Sequence, residues 1–262
     1  MSALAPRCTL YLTVCTYTLH FERLSSLTPR YHSYIAGAGI HIVGEEAHLV
    51  DTTGHVLNIS PMSHVKPVLP ASRSASWHNH GTSPIDYFEA SWTVPHAPKT
   101  YHGQTIFLFV SLGPASSSDI IAPVLQYGPS AAGGGPHWAT AAWYTTGTTV
   151  YHTLLQTVSV GQTLRAAIQM SSQNGNLYSY FAAFIGIPGI LPISNLPQLV
   201  IAQEALEAYN VKRSTDNVKG PITFHNIIVQ TVSGTPSVHW TAHGPGVVVN
   251  VQGATNAKIT FN

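Results

Sequence analysis

The chain has 262 residues, of which 8% are charged and 44% hydrophobic, and its formal net charge is +1. Soluble domains usually carry about 25% charged residues, so this surface rests on neutral polar groups, and nothing in the charge balance recommends nucleic acid or an anionic membrane as a partner. The length suits one large domain, or a domain with an extension, and is enough for a sizeable core. Histidine is over-supplied, with 15 copies against 10 carboxylates, so the protein becomes strongly cationic in acid.

Residues 1–20 are apolar but interrupted by Pro6, Arg7 and several threonines. The stretch is too short and too polar for a membrane-spanning helix. It has a weak basic start and no clear small-residue cleavage site. An extracellular location is therefore suggested only by the Ser, Thr and Gly content. Cys8 and Cys15 are the two cysteines. They exclude a disulfide framework for the remainder, and their spacing is a poor zinc signature.

Two alternating pieces follow, Gly39-Ile40-His41-Ile42-Val43 and His55-Val56-Leu57-Asn58-Ile59. Pro61, Pro67 and Pro70 then lead into a Ser-rich connector at 71–76. The composition change divides the chain into residues 1–74, an extension, prosegment or added hairpin, and residues 75–262, the main domain. Asn58-Ile59-Ser60 matches a glycosylation sequon, weakened by the proline after it.

From Trp77 onward short strand-like runs dominate. Residues 87–94 alternate and stop at Pro95, and 105–112 form an almost continuous apolar run, the pattern of a strand buried on both faces. Further strands are expected at 138–144, 150–158, 163–170, 177–185, 198–205, 222–232, 237–242, 247–251 and 258–261. Residues 197–211 also read as a helix on the local propensity of Ala202-Gln203-Glu204-Ala205-Leu206-Glu207-Ala208. With glycine, proline and asparagine breaks at short intervals, an all-β sandwich of two antiparallel sheets is the economical architecture.

Familiar catalytic motifs are absent. The run Gly133-Gly134-Gly135-Pro136 lacks the lysine of a phosphate loop, and no Gly-x-Ser-x-Gly elbow occurs. His78-Asn79-His80 places two imidazoles on one face of an extended segment, but Glu89 follows too far away for a cupin-like site, so the pair reads as surface histidines and no metal is expected. Asp51, Asp86, Asp119 and Asp216 sit beside turn residues and read as caps.

Two features remain. Val124-Leu125-Gln126-Tyr127-Gly128 delivers one uncharged amide just before Gly128-Pro129, with Trp138, Trp143 and Tyr144 beyond the glycine run. Alternation sets Val124 and Gln126 on one face and Leu125 and Tyr127 on the other. Gln126 either lines a groove or bonds to neighbouring backbone. Glu204 and Glu207 stand out in an apolar neighbourhood, where desolvation raises a carboxyl's pKa and fits it for acid–base work. In a strand the two point to opposite faces, so only one can share a groove with Gln126. In a helix both could lie on one side.

Three segments resemble, in order, those of the eqolisin-type glutamic peptidases, and more distantly the neprosin-like proteins. Ala90-Ser91-Trp92-Thr93-Val94-Pro95 is similar to the family's opening Trp-x-Val-Pro strand. Val124 to Gly128 resembles the Leu-Gln-x-Gly element that supplies the catalytic glutamine. Gln203-Glu204-Ala205-Leu206-Glu207 resembles the Ala-Glu-Trp-Ile-Val-Glu element that supplies the catalytic glutamate. The likeness spans about residues 77–232, and the Leu-Gln-Tyr-Gly-Pro-Ser run is closer still to a group of uncharacterised microbial proteins. There are departures. Phe109-Val110-Ser111-Leu112-Gly113 stands where the family has Trp-Val-Gly-Ile-Asp, Ala205 replaces a tryptophan, and the second glutamate comes one residue early. The choice between Glu204 and Glu207 therefore stays open.

The resemblance implies a concanavalin-like sandwich whose concave sheet carries Gln126 and a glutamate. It also implies a cofactor-free hydrolase that activates water on a peptide bond at acid pH. Glu204 (or Glu207) would be general base and then acid, Gln126 would orient water and donate to the oxyanion, and Trp92, Trp138, Trp143, Tyr144 and Tyr127 would grip the substrate. Two other classes fit the same residues. A non-catalytic carbohydrate-binding module would stack sugars on the aromatics, and a cofactor-free enzyme on a small apolar molecule would need a closed pocket lined by Phe107, Phe109 and the tryptophans.

Overall fold

β-Branched and aromatic residues fill the segments between the glycine and proline breaks, and such side chains fit a pleated, half-buried surface. A computed structural model describes residues 30–33, 37–62, 73–146, 149–251 and 257–262. The first strands are β1 (Arg30–Ser33), β2 (Gly39–Val43), β3 (Glu46–Val50), β4 (Val56–Pro61), β5 (Arg73–His78), β6 (Ile85–Thr93) and β7 (Thr105–Gly113). Next come β8 (Ile120–Ser130), β9 (Gly133–Thr146), β10 (Thr149–His152), β11 (Gln156–Thr157), β12 (Thr163–Asn174), β13 (Leu177–Phe184) and β14 (Leu191–Leu196). The chain closes with β15 (Ile201–Tyr209), a 3-10 turn at Ser214–Asp216, β16 (Ile222–Thr231), β17 (Thr241–His243), β18 (Val247–Val251) and β19 (Ala257–Phe261).

These strands make two sheets. The first runs β1-β10-β9-β8-β7-β15-β5-β17, with β11 beside β9, and the second runs β18-β19-β16-β6-β12-β13-β14-β2-β3-β4. Pairing is antiparallel except at β1–β10 and β14–β2. The protein is thus the all-β sandwich its strand pattern calls for. Ile106, Leu108, Val110 and Leu112 of β7 face the second sheet, which answers with Phe88, Ala90 and Trp92 of β6, all in one core.

The segment with helical propensity is β15. It pairs with β7 from Ile201–Gly113 to Tyr209–Thr105, and with β5 from Ile201–His78 to Leu206–Arg73. Local propensity loses here because both neighbouring strands need its backbone, and both of its faces are buried: Ala202 and Leu206 lie in the inter-sheet core, Ala205 in a second cluster outside it. A helix over these residues would leave two ladders unpaired.

The alternating N-terminal pieces form β2–β4, which continue the second sheet beyond β14. Ile40, Ile42, Ala47 and Leu49 join the same core. The division expected at residue 74 falls inside β5, an internal strand of the first sheet. The leader-like residues 1–20, with Cys8 and Cys15, lie outside the described residues, as do Pro67 and Pro70.

Two of the turn-associated aspartates hold loops. Asp51 Oδ1 accepts from the backbone of Thr53 and His55 (2.8 and 2.9 Å). Buried Asp216 ties the 3-10 turn to the β6–β7 loop. It accepts from the Thr100 hydroxyl, His102 Nδ1 (2.8 Å) and the backbone N–H of Lys212 and Arg213 (3.1 and 3.0 Å). The Thr100 hydroxyl above all, with His102 and these two amides, holds its carboxyl far below the usual carboxylate range.

Candidate active site

Alternation along β7, β8 and β15 sorts the first sheet into two faces. One face meets the second sheet. The other carries Phe109, Ala122, Val124, Ala141, Trp143 and Ala205, with Phe107, Ala131, Ala132 and Leu155 packed against them. Gln126 follows Val124 by two residues and Glu207 follows Ala205 by two, so both stand on this outer face.

Register brings them into one row. Gln126 of β8 lies opposite Phe107 of β7, and Phe107 lies opposite Glu207 of β15. Two inter-strand steps separate the Gln126 and Glu207 backbones, about 10 Å in all. Phe107 is half-buried between them, its ring edge-on to Trp143 and to Tyr209 at 5.8 Å in each case.

The Gln126 amide is spoken for. Its Nε2 donates to the carbonyls of Gly128 and Gly133, both at 3.0 Å, and its Oε1 accepts from the Ser130 hydroxyl at 2.8 Å. The side chain is buried beneath the β8–β9 hairpin. The glycines follow from this closeness. A Cβ on Gly134, at φ +102°, would sit 2.5 Å from Gln126 Nε2, and one on Gly128, at φ +93°, would sit 1.9 Å from the Gln104 carbonyl oxygen. Of the two roles open to Gln126 in the sequence, the side chain takes the bonding to neighbouring backbone, while keeping its place on the outer face.

Glu207 is 9% exposed. Its carboxyl accepts from the Tyr209 hydroxyl at 2.8 Å. Desolvation raises its pKa above the ordinary value, and the Tyr209 bond works in the opposite sense. Glu204 points the other way. Its cross-strand partners Val110 and Ala75 belong to the inter-sheet core, it is fully buried, and neither carboxylate oxygen has a hydrogen-bond partner among the described residues. Burial pushes its pKa well up. Of the two glutamates between which the sequence left the choice open, Glu207 is the one on the face of Gln126, and Glu204 is not. The strand period sends it to the opposite face, three residues from Glu207 and half a pleat out of phase.

The aromatic residues expected to grip substrate divide the same way. Trp92, Trp138, Tyr144 and Tyr127 are buried in the inter-sheet core, so they line no face with Gln126. Their large apolar surfaces fill the space between the sheets instead. Trp143 alone of the five is on the outer face. Beside it lies buried His152, ring centroids 5.4 Å apart. Its Nδ1 is 3.0 Å from the Thr153 carbonyl, and burial lowers its pKa.

Tyr209 and His152 were not singled out in the sequence. Tyr209 was legible, since it follows Glu207 by the two-residue period of a strand. His152 was not, because its place beside Trp143 depends on the β9–β10 pairing. A pocket of about 340 Å³ lies elsewhere, lined by Arg73, Val211, Asn217, Phe261 and Asn262 among others. Among the described residues no group of three or more His, Cys, Asp or Glu is arranged to hold a metal ion.

No protein-family model and no curated protein matches the sequence. Among solved structures the chain is similar to scytalido-glutamic peptidase with a peptide-based transition-state analogue, at 13% identity and a TM-score of 0.48, covering 73% of this chain and 98% of that one. It is also similar to SCP-B, a member of the eqolisin family of peptidases in complex with the tripeptide Ala-Ile-His, at 14% identity, a TM-score of 0.47 and the same coverage. Likeness this distant carries no residue's role across, so the site rests on this chain's own geometry.

Proposed function

We propose that the protein is a cofactor-free, peptidase-like hydrolase in which Glu207, not Glu204, is the acid–base group and Gln126 its partner. The observation that carries this reading is the row Gln126–Phe107–Glu207 on the outer face of the first sheet. A carboxyl with raised pKa and an amide flank one half-buried ring there, in segments that resemble the glutamine and glutamate elements of the eqolisin-type peptidases.

In the proposed reaction Glu207 takes a proton from water, which attacks the substrate carbonyl, and then returns it to the leaving amine. Gln126 donates its amide N–H to the developing oxyanion. Both of its donors are engaged by the Gly128 and Gly133 carbonyls at rest, so the hairpin turn at 130–133 has to move before the amide is free. Trp143 and Tyr209, around Phe107, offer an apolar floor for the substrate chain.

A second reading has its own observation. With all three bonds made locally, Gln126 is a hairpin staple, and the outer face is then a non-catalytic binding surface. The two readings separate on one experiment. Purified wild type, Glu207→Gln and Glu204→Gln are assayed for cleavage of an unfolded protein at acid pH. The hydrolase reading expects cleavage by wild type and Glu204→Gln, and almost none by Glu207→Gln. A folded wild type that cleaves nothing between about pH 2 and 7 leaves the binding surface.

A further inference from the structure

The pair His78 and His80 is used neither by the core nor by the candidate site. It closes β5 on the outer side of the first sheet. His78 lies opposite Ile201, six residues and about 20 Å along β15 from Glu207. Both imidazoles are exposed, with ring centroids 4.3 Å apart and ring planes inclined at 37°.

Asn79 between them is buried and fully engaged. Its backbone N–H donates to the Val200 carbonyl at 2.8 Å. Its Nδ2 donates to the Ser83 carbonyl at 2.6 Å, and its Oδ1 accepts from the Gly81 N–H at 3.0 Å. The turn is held from outside as well. Gln198 Nε2 donates to the Thr82 carbonyl and the Ser233 N–H donates to the Ser83 hydroxyl, each at 3.0 Å. The two histidines are thus presented side by side on an anchored turn, and little backbone freedom remains to be lost when something binds across them.

We propose that His78 and His80 form a bidentate site for a divalent transition metal of the zinc, nickel and copper class, with the other coordination positions open to water. Imidazole nitrogen suits these ions, whereas magnesium and calcium require oxygen ligands. Among the described residues no third His, Cys, Asp or Glu is grouped with the pair to close the site. The next carboxylates along the chain, Asp86 and Glu89, both lie on β6 of the other sheet, where Arg165 holds both Glu89 oxygens at 2.8 and 3.0 Å. Two neighbouring imidazoles on an anchored turn, with solvent beyond them, make an exchangeable site. Its affinity falls in acid, because protons compete for the same lone pairs.

The test is titration calorimetry of the full chain with Ni²⁺ at about pH 7.5, where imidazole is largely neutral, on wild type, His78→Asn, His80→Asn and His137→Asn. His137 is an exposed histidine elsewhere on the surface and controls for adventitious binding. Wild type is expected to bind one Ni²⁺ that His78→Asn and His80→Asn each weaken by about tenfold or more, with His137→Asn unchanged and Mg²⁺ silent. Both ligand positions are exposed, so unchanged melting temperatures confirm that the fold is intact. Absence of saturable Ni²⁺ binding, or binding that survives both substitutions unchanged, overturns the proposal.

Discussion

Gln126 and Glu207 flank the same residue, Phe107, on the face of the first sheet that looks away from the core. Glu204, only three positions before Glu207, has its carboxyl inside the core with no hydrogen-bond partner among the described residues. One strand thus carries two glutamates in opposite environments, and they are expected to behave differently in every assay that reads charge.

Activity is expected to follow the ionisation of Glu207. Its carboxyl must be ionised to accept the water's proton and protonated later in the same cycle, so the rate peaks near its own pKa, which burial has raised. A pH–rate profile on an unfolded protein should therefore peak in the acid range, above the ordinary carboxylate value. A rate that keeps climbing into the alkaline range would remove Glu207 from the chemistry.

Stability should respond to Glu204. Burial holds the Glu204 carboxyl, and to a smaller degree that of Glu207, more tightly protonated in the folded chain than in the unfolded one. Their contribution is full below about pH 4.3 and is lost as the pH rises through the folded-state values. Asp216 and His152, both with lowered pKa, act on the other side, since their contributions fade as the pH falls. Replacing Glu204 by Met removes the Glu204 part of the first effect and leaves the rest in place. The melting temperature of Glu204→Met should exceed that of wild type by a margin that widens from about pH 4 to pH 8. Parallel curves would show that the carboxyl is not paying for its burial.

The hairpin over Gln126 should be intolerant of small changes. Gln126→Ala removes three hydrogen bonds beneath the hairpin; the Gly133 carbonyl keeps only its longer bond from the Ser130 hydroxyl, at 3.2 Å, and each bond lost costs about 0.5–1.5 kcal/mol. Gly134→Ala forces a Cβ against the Gln126 amide at a positive φ. Hydrogen exchange at residues 128–135 should accelerate in both variants. Protection unchanged from wild type would mean that the amide does not hold the turn.

Removing residues 1–70 takes away β1 to β4, which sit at the ends of their sheets. The truncated chain is expected to keep a cooperative unfolding transition, at a lower temperature, because Ile40, Ile42, Ala47 and Leu49 leave the core and uncover the β14 side of the second sheet. The isoleucines and the leucine each forfeit about 1.5–3 kcal/mol of burial. Loss of the cooperative transition would make β2–β4 an obligatory part of the sandwich.

Much of this was legible in the order of residues. Period-two alternation in 87–94, the unbroken apolar run 105–112 and the regular glycine and proline breaks specify short strands, and enough of them to require two sheets. Alternation also settles, once 201–209 is known to be a strand, that Glu204 and Glu207 part company. What the chain order leaves undecided is whether that stretch is a strand at all, because Ala-Gln-Glu-Ala-Leu-Glu-Ala favours a helix when judged alone. The ladders of β7 and β5 decide it, by supplying hydrogen-bond partners on both sides. Tertiary pairing likewise chooses which glutamate joins Gln126, sends Trp92, Trp138, Tyr144 and Tyr127 to the core, and folds the glycine hairpin down onto the Gln126 amide. Those outcomes depend on register between strands far apart in the chain, and a shift of one residue would exchange the two faces.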